Sequence, residues 1–325
     1  MKKLIAIFTI FSISFFSFAT SLTFQDESYT GTIIYNEEAE NGEAIFARMN
    51  LKFFKNIKKK NTPDIRAQIQ LLNTEKKVES SNFYIIPQKS KKQNIELLAG
   101  LPLSTWLDAK KNYQLKIIIS VSDLSEKEFF VPFTLKEAKI NSEIIDLNAE
   151  NTEIKQNMSS ERLAQIEKLN NILRTVNASS VYTLNPFIKP VTSDRMTSWC
   201  HDRRTFKYVN GKTETTLHYG NDYGVPTGTE VRACQEGKVV LAEFRISTGW
   251  SVVIEHLPGL YSLYYHLNSL NVKTGDYVKC SELIGLSGST GLATGPHLHW
   301  EIRLNMCAVK PEFFMKNYTF EPEDN

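Results

Sequence analysis

Twelve of the chain's fifteen glycines fall between Gly211 and Gly295, where they repeatedly interrupt short runs rich in Val, Ile, Leu and Tyr. Helices tolerate such punctuation poorly, since each interior glycine costs about 1 kcal/mol relative to alanine. Glycine does supply the backbone conformations that tight hairpin turns need. Residues 186–325, beginning at Pro186 and Pro190, are therefore expected to form an antiparallel β-sheet with tight turns.

The remaining sequence divides into three parts. Residues 20–150 hold strand-like runs at Gly31–Tyr35, Ile45–Phe54, Asn82–Pro87, Tyr113–Ser120 and Glu128–Thr134. Turn signals between such runs predict a β-sandwich-like N-terminal domain, so the fold class is mainly β. From Ser159 to Ser179, Leu163, Ile166, Leu169, Ile172, Leu173 and Val176 recur at steps of three and four. This is the spacing of one amphipathic helix, capped by Ser159 or Ser160, in a helical linker over residues 151–185. The polar stretch Asn148–Asn157 before it reads as an interdomain connector.

The first nineteen residues have the form of a secretory signal: Lys2 and Lys3, an apolar run from Leu4 to Phe18, and Ala19 closing a small-x-small pattern. The run is too short for a membrane span of about 20 apolar residues. Export to the periplasm or cell envelope is the expectation. Removal of the signal takes two of 38 basic side chains, leaving 36 against 36 acidic ones, so no net charge draws the chain to nucleic acid. The lysine clusters Lys58–Lys60 and Lys89–Lys92 read as solvated loops rather than as a site for an anionic polymer.

All six histidines lie between residues 201 and 299, which points to a local use for imidazole. His297 and His299 are two apart in a strand-like run, so both face one side while Leu298 and Trp300 face the other, toward a core. His218 and Asp222 add a nitrogen and a carboxylate donor four residues apart, with Gly220 between them arguing against a helix. Two imidazoles and one carboxylate are a common donor set for catalytic zinc, which suggests His218, Asp222 and His299 as ligands. His297 shares the face of His299 and can approach a water on the metal, and His266 is the other candidate for proton transfer or oxyanion stabilisation. His256 reads as a structural residue at the Pro258-Gly259 turn, and His201 as a surface residue.

In order, the chain contains His218-x-Gly220-x-Asp222, Pro226-x-Gly228-Thr229-x-Val231-x-Ala233, Tyr264-x-His266-Leu267, Val272-x-x-Gly275-Asp276 and Gly295-Pro296-His297-Leu298-His299-Trp300-Glu301. This series resembles the lysostaphin/LytM-type zinc endopeptidases, peptidase family M23, over about 120 residues. The resemblance implies His218, Asp222 and His299 as ligands of one Zn2+, His266 and His297 as catalytic residues, and a β-sheet with a narrow groove over the metal. It implies as substrate the cross-linking peptides of peptidoglycan; accessory wall or membrane proteins are partners that the sequence leaves open. More weakly, Phe83-Tyr84-Ile85-Ile86-Pro87 and Leu98-Ala99-Gly100-Leu101-Pro102-Leu103 resemble the β-domain preceding the peptidase in Gram-negative DD-endopeptidases.

A non-catalytic wall-binding relative of this kind would lack at least one ligand, and this chain lacks none. A zinc peptidase acting on an exported protein would carry the same residues, because loops decide specificity. Cys200-His201 stands where many relatives have Phe-Gly, and Cys280 and Cys307 are also departures, bearing on the rim of the groove rather than on the donors. With Cys234 these read as structural or unpaired thiols. The large non-catalytic half suggests that it, or the Ser159–Ser179 helix, covers the groove, in which case a chain beginning near residue 180 is faster.

Overall fold

Strand alternation organises the N-terminal unit in the computed structural model, which describes residues 19–55, 63–87, 93–122 and 124–321. The leader through residue 18 and the lysine clusters at 58–60 and 89–92 lie outside the described residues. Along Tyr113–Val121 every second residue, Leu115, Ile117, Ile119 and Val121, is buried, as the two-residue period of a half-buried strand requires. Two five-stranded sheets result. One runs Ala19–Gln25, Tyr29–Asn36, Ala44–Phe53, Asn94–Pro102, Tyr84–Ile85, and the other Glu38–Glu40, Lys127–Lys136, Tyr113–Val121, Ile65–Asn73, Lys76–Asn82. Ile33, Met49 and Leu97 from the first meet Ile69, Ile117 and Phe129 from the second in one core, the arrangement of a sandwich.

The two compact units divide between Glu137 and Ala138, with Thr319 onward belonging to the first. The expected boundary near residue 150 is therefore displaced. The cause is the strand Ser142–Asp146, which pairs in parallel with Arg203–Lys207 and so belongs to the C-terminal unit. Together with Thr213–Leu217 these strands make a small three-stranded sheet.

The main sheet of the C-terminal unit has ten strands. Its central path runs Met196–Ser198, Asn221–Tyr223, Leu298–Leu304, Leu260–Leu270, Gly249–Leu257, Gly237–Arg245 and Tyr277–Val278, all antiparallel. Glycine-marked turns connect them, as the sequence predicts. Leu298, Trp300 and Ile302 are fully buried on one face, and His299, Glu301 and Arg303 project from the other.

Two helices precede this sheet. α1, Ala149–Gln156, forms within the stretch read as an interdomain connector; Asn148 caps it by accepting from the Asn151 N–H, and only Asn151 and Thr152 are buried. So polar a helix carries no apolar period to reveal it. α2, Ser160–Arg174, starts where Ser159 Oγ accepts from the Arg162 N–H at 3.3 Å. Its Leu169, Ile172 and Leu173 pack on Leu241, Tyr261, Leu263 and Tyr265 of the sheet. No helix among the described residues is long and apolar enough to cross a membrane.

Candidate metal centre

Three neighbouring strands set one row of side chains. Asp222 on Asn221–Tyr223 pairs with His299 on Leu298–Leu304, which pairs in turn with Tyr265 on Leu260–Leu270. His218 enters from the loop before Asp222. That loop lies so close to the neighbouring strand that a Cβ on Gly220 would sit 2.4 Å from the Trp300 carbonyl oxygen, so only glycine fits there. His218, Asp222 and His299 thus come together, all buried, as one group able to hold a metal ion.

The hydrogen bonds around these rings fix which nitrogen faces inward. His218 Nδ1 donates to the Trp199 carbonyl at 2.8 Å, and His299 Nε2 to Glu301 Oε1 at 3.0 Å. The remaining atoms, His218 Nε2 and His299 Nδ1, face each other at 2.9 Å and lie 3.2 and 2.7 Å from Asp222 Oδ1. Three acceptor atoms so close together repel one another unless a proton or a cation lies among them. Outward donation to a carbonyl or carboxylate, leaving the inner lone pair free, is the usual arrangement of metal-binding histidine. The donor set therefore fits a divalent cation of zinc type.

His266 and His297 flank the same point, with ring centroids 4.8 Å apart, and His266 is 6.0 Å from His299. Each donates through Nδ1, His266 to the Thr290 carbonyl at 2.7 Å and His297 to the Gly295 carbonyl at 2.8 Å, leaving Nε2 with a free lone pair. His297 Nε2 is 3.7 Å from Asp222 Oδ1. His266 sits where its strand changes partner, from Leu298–Leu304 to Leu283–Ser287, and its φ of +61° is rare for a residue with a side chain. Such local strain at a bulged strand re-aims a side chain.

Electrostatics separates these groups. Burial would lower His299, but Asp222 and Glu301 on either side raise its pKa to about 9. Burial would raise Asp222, yet His218 and His299 hold it well below the usual carboxylate range. Burial, reinforced by His297 and His299, pushes His266 down to about 3, and burial likewise lowers His297 and His218. The flanking pair are thus neutral imidazoles near pH 7.

Several supporting residues carried no role in the sequence reading. Glu301 Oε2 accepts from Arg303 Nε at 2.6 Å, and the Arg303 guanidinium lies 4.3 Å above the ring of Tyr219. Arg204 donates to Asp222 Oδ2 at 2.5 Å. The strand period placed Glu301 and Arg303 on the face of His299, so these two were open to discovery; Arg204 was not, because nothing local ties it to Asp222. His201, expected at the surface, is 1% exposed at φ +75° and bonds the Ala308 carbonyl. His256 is structural, as expected, but within the strand Gly249–Leu257, where it is fully buried against the Glu236 carbonyl and Ser262 Oγ. All four cysteines are free thiols.

Residues 216–311 match the family model for peptidase family M23. A metalloprotease of Buchnera aphidicola, itself uncharacterised, is 34% identical over 137 residues, which cover 42% of this chain and 35% of that protein. A DD-carboxypeptidase/endopeptidase of Neisseria meningitidis is 43% identical over 95 residues, 29% of this chain and 22% of that protein. The peptidoglycan DD-endopeptidase ShyA of Vibrio cholerae is 42% identical over 85 residues, 26% of this chain and 20% of that protein. The chain thus spans 20% to 35% of the length of these curated relatives. A solved structure from Pseudomonas aeruginosa, described as an M23 peptidase, shares the fold, with a TM-score of 0.51 at 21% identity over 78% of this chain and 89% of that one.

Proposed function

We propose that this chain, which carries a peptidase family M23 domain, is an exported zinc-dependent endopeptidase that hydrolyses the peptide cross-links of bacterial peptidoglycan. The observation that carries this reading is the convergence of three acceptor atoms, His218 Nε2, Asp222 Oδ1 and His299 Nδ1, with every outward nitrogen already engaged. Those three residues would hold the ion. Zinc bound there would supply Lewis-acid polarisation of the scissile carbonyl and an acidified water as nucleophile.

The chain's own residues do the rest. His297 and His266 present neutral Nε2 atoms on the open side, where one takes a proton from the attacking water and the other, once protonated, faces the developing oxyanion or the leaving amine. Thr290 and Gly295 hold these rings in the tautomer that leaves Nε2 free, while Glu301 does the same for Nδ1 of His299. Tyr265 stacks on His299 at 5.5 Å and keeps the ring from turning.

The test is digestion of purified sacculi followed by muropeptide mapping. Cross-linked dimers are expected to become monomers, and chelation or His299→Ala to abolish the conversion. Undiminished digestion by the chelated protein would refute the zinc-dependent reading.

A further inference from the structure

We propose that Glu143, which lies well before the family-matched segment 216–311, is a positioning residue of the metal centre that acts through Arg204 on the carboxylate of Asp222. The inference rests on the metal-centre reading given above and deepens it. The parallel strands Ser142–Asp146 and Arg203–Lys207 place Glu143 directly opposite Arg204. The Arg204 guanidinium is then held from two sides: Nε donates to Glu143 Oε1 at 2.5 Å, and an Nη donates to Asp222 Oδ2 at 2.5 Å. Its side chain is only 16% exposed, so it has little water to turn toward.

This grip divides the labour of the Asp222 carboxylate. Oδ2 belongs to Arg204, and Oδ1 is left to face His218 and His299. A guanidinium freed on its Nε side can rotate to take both carboxylate oxygens in a forked pair, the geometry arginine favours. Oδ1 would then be drawn from the site where a cation needs it. Glu143 opposes that rotation by occupying Nε.

Ser198 Oγ also donates to Glu143 Oε1 at 3.0 Å, but it has Asp202 Oδ2 as a second acceptor at 3.3 Å, and His218 is oriented by the Trp199 carbonyl. The route from Glu143, 73 positions before the matched segment begins, to the donor atoms therefore runs through Arg204. Neighbours of this kind change metal affinity by about 10- to 100-fold when removed.

The experiment titrates zinc into the metal-free full chain against a chromogenic chelator, for wild type, Glu143→Ala, Arg204→Gln and the double variant, with melting of each metal-free protein recorded alongside. Glu143→Ala, which removes the acceptor on Arg204 Nε, is expected to bind zinc about tenfold more weakly. Because Glu143 acts through Arg204, the double variant is expected to bind no more weakly than Arg204→Gln alone, whereas a general loss of structure would add and would appear in the metal-free melts. Wild-type affinity in Glu143→Ala, or additive losses in the double variant, would overturn the proposal. Failure of the wild type itself to take up zinc would instead refute the metal-centre reading on which it rests.

Discussion

Single residues decide the chemistry here through the direction in which their lone pairs point. The four histidines that the structure brings together at the candidate site were legible in the sequence because their clustering and the period of a strand are local properties. Arg204 and Glu143 were not, since the ion pair joins positions 61 apart through a parallel strand pairing that no short motif announces. His201 was misread because a turn at positive φ folds it inward. Gly220 offers a direct test of the close strand approach. Gly220→Ala has no room beside the Trp300 backbone and is expected to cost about 1–3 kcal/mol, read as a lower midpoint in denaturant, together with weaker zinc binding. A variant as stable as wild type would contradict that packing.

The pH dependence of stability also belongs to individual residues. Burial lowers His256 and His201 to about 4, against about 6.5 in an unfolded chain. Between these values the unfolded state binds the extra protons, so the stability these two rings contribute is complete above about pH 6.5, falls as pH drops toward 4, and changes no further below it. Denaturant midpoints measured from pH 7 to 4 are expected to fall over that window, and a flat profile would show that neither ring is buried neutral.

Elements contribute what the sequence showed least. α2 was predicted from its period over Ser159–Ser179 and is observed over Ser160–Arg174, packed on one domain as a helix of that pattern should be. Leu173 and its neighbours pack on Tyr261, Leu263 and Tyr265, the sheet face that carries His299 further along. Arg162 donates to Ser247 Oγ at 2.9 Å and the Ile246 N–H donates to Gln165 Oε1 at 2.8 Å, so the helix holds the 246–248 turn. Thr248 in that turn accepts from the His266 backbone N–H at 2.8 Å. The helix thus supports the site. A chain beginning at residue 180 is therefore expected to unfold at lower denaturant and bind zinc more weakly, reversing the faster enzyme that a covering helix would give. Leu173→Ala alone is expected to lose about 2–4 kcal/mol of stability. A stable, faster chain from residue 180 would restore the covering role.

At the scale of the whole molecule, the mainly β architecture was legible because alternation shows in strands such as Tyr29–Asn36, Tyr113–Val121 and Lys127–Lys136, and glycines punctuate the C-terminal sheet. The unit boundary was not, because the strand Ser142–Asp146 is short, half polar and paired with a distant partner. Substrate class depends on the loops around the candidate metal centre, and it is tested by offering purified sacculi and an unfolded protein side by side. Conversion of cross-linked muropeptides with little cleavage of the unfolded protein is expected, and the opposite preference would point to a protein substrate.

The most direct measurement is the metal content of the purified full chain and of its His218→Ala, Asp222→Ala and His299→Ala variants. About one zinc per wild-type chain, removed by chelation and lost in each variant, is the predicted result. A wild-type chain that takes up no zinc, or variants that retain it in full, would contradict the claim that these three side chains share one ion.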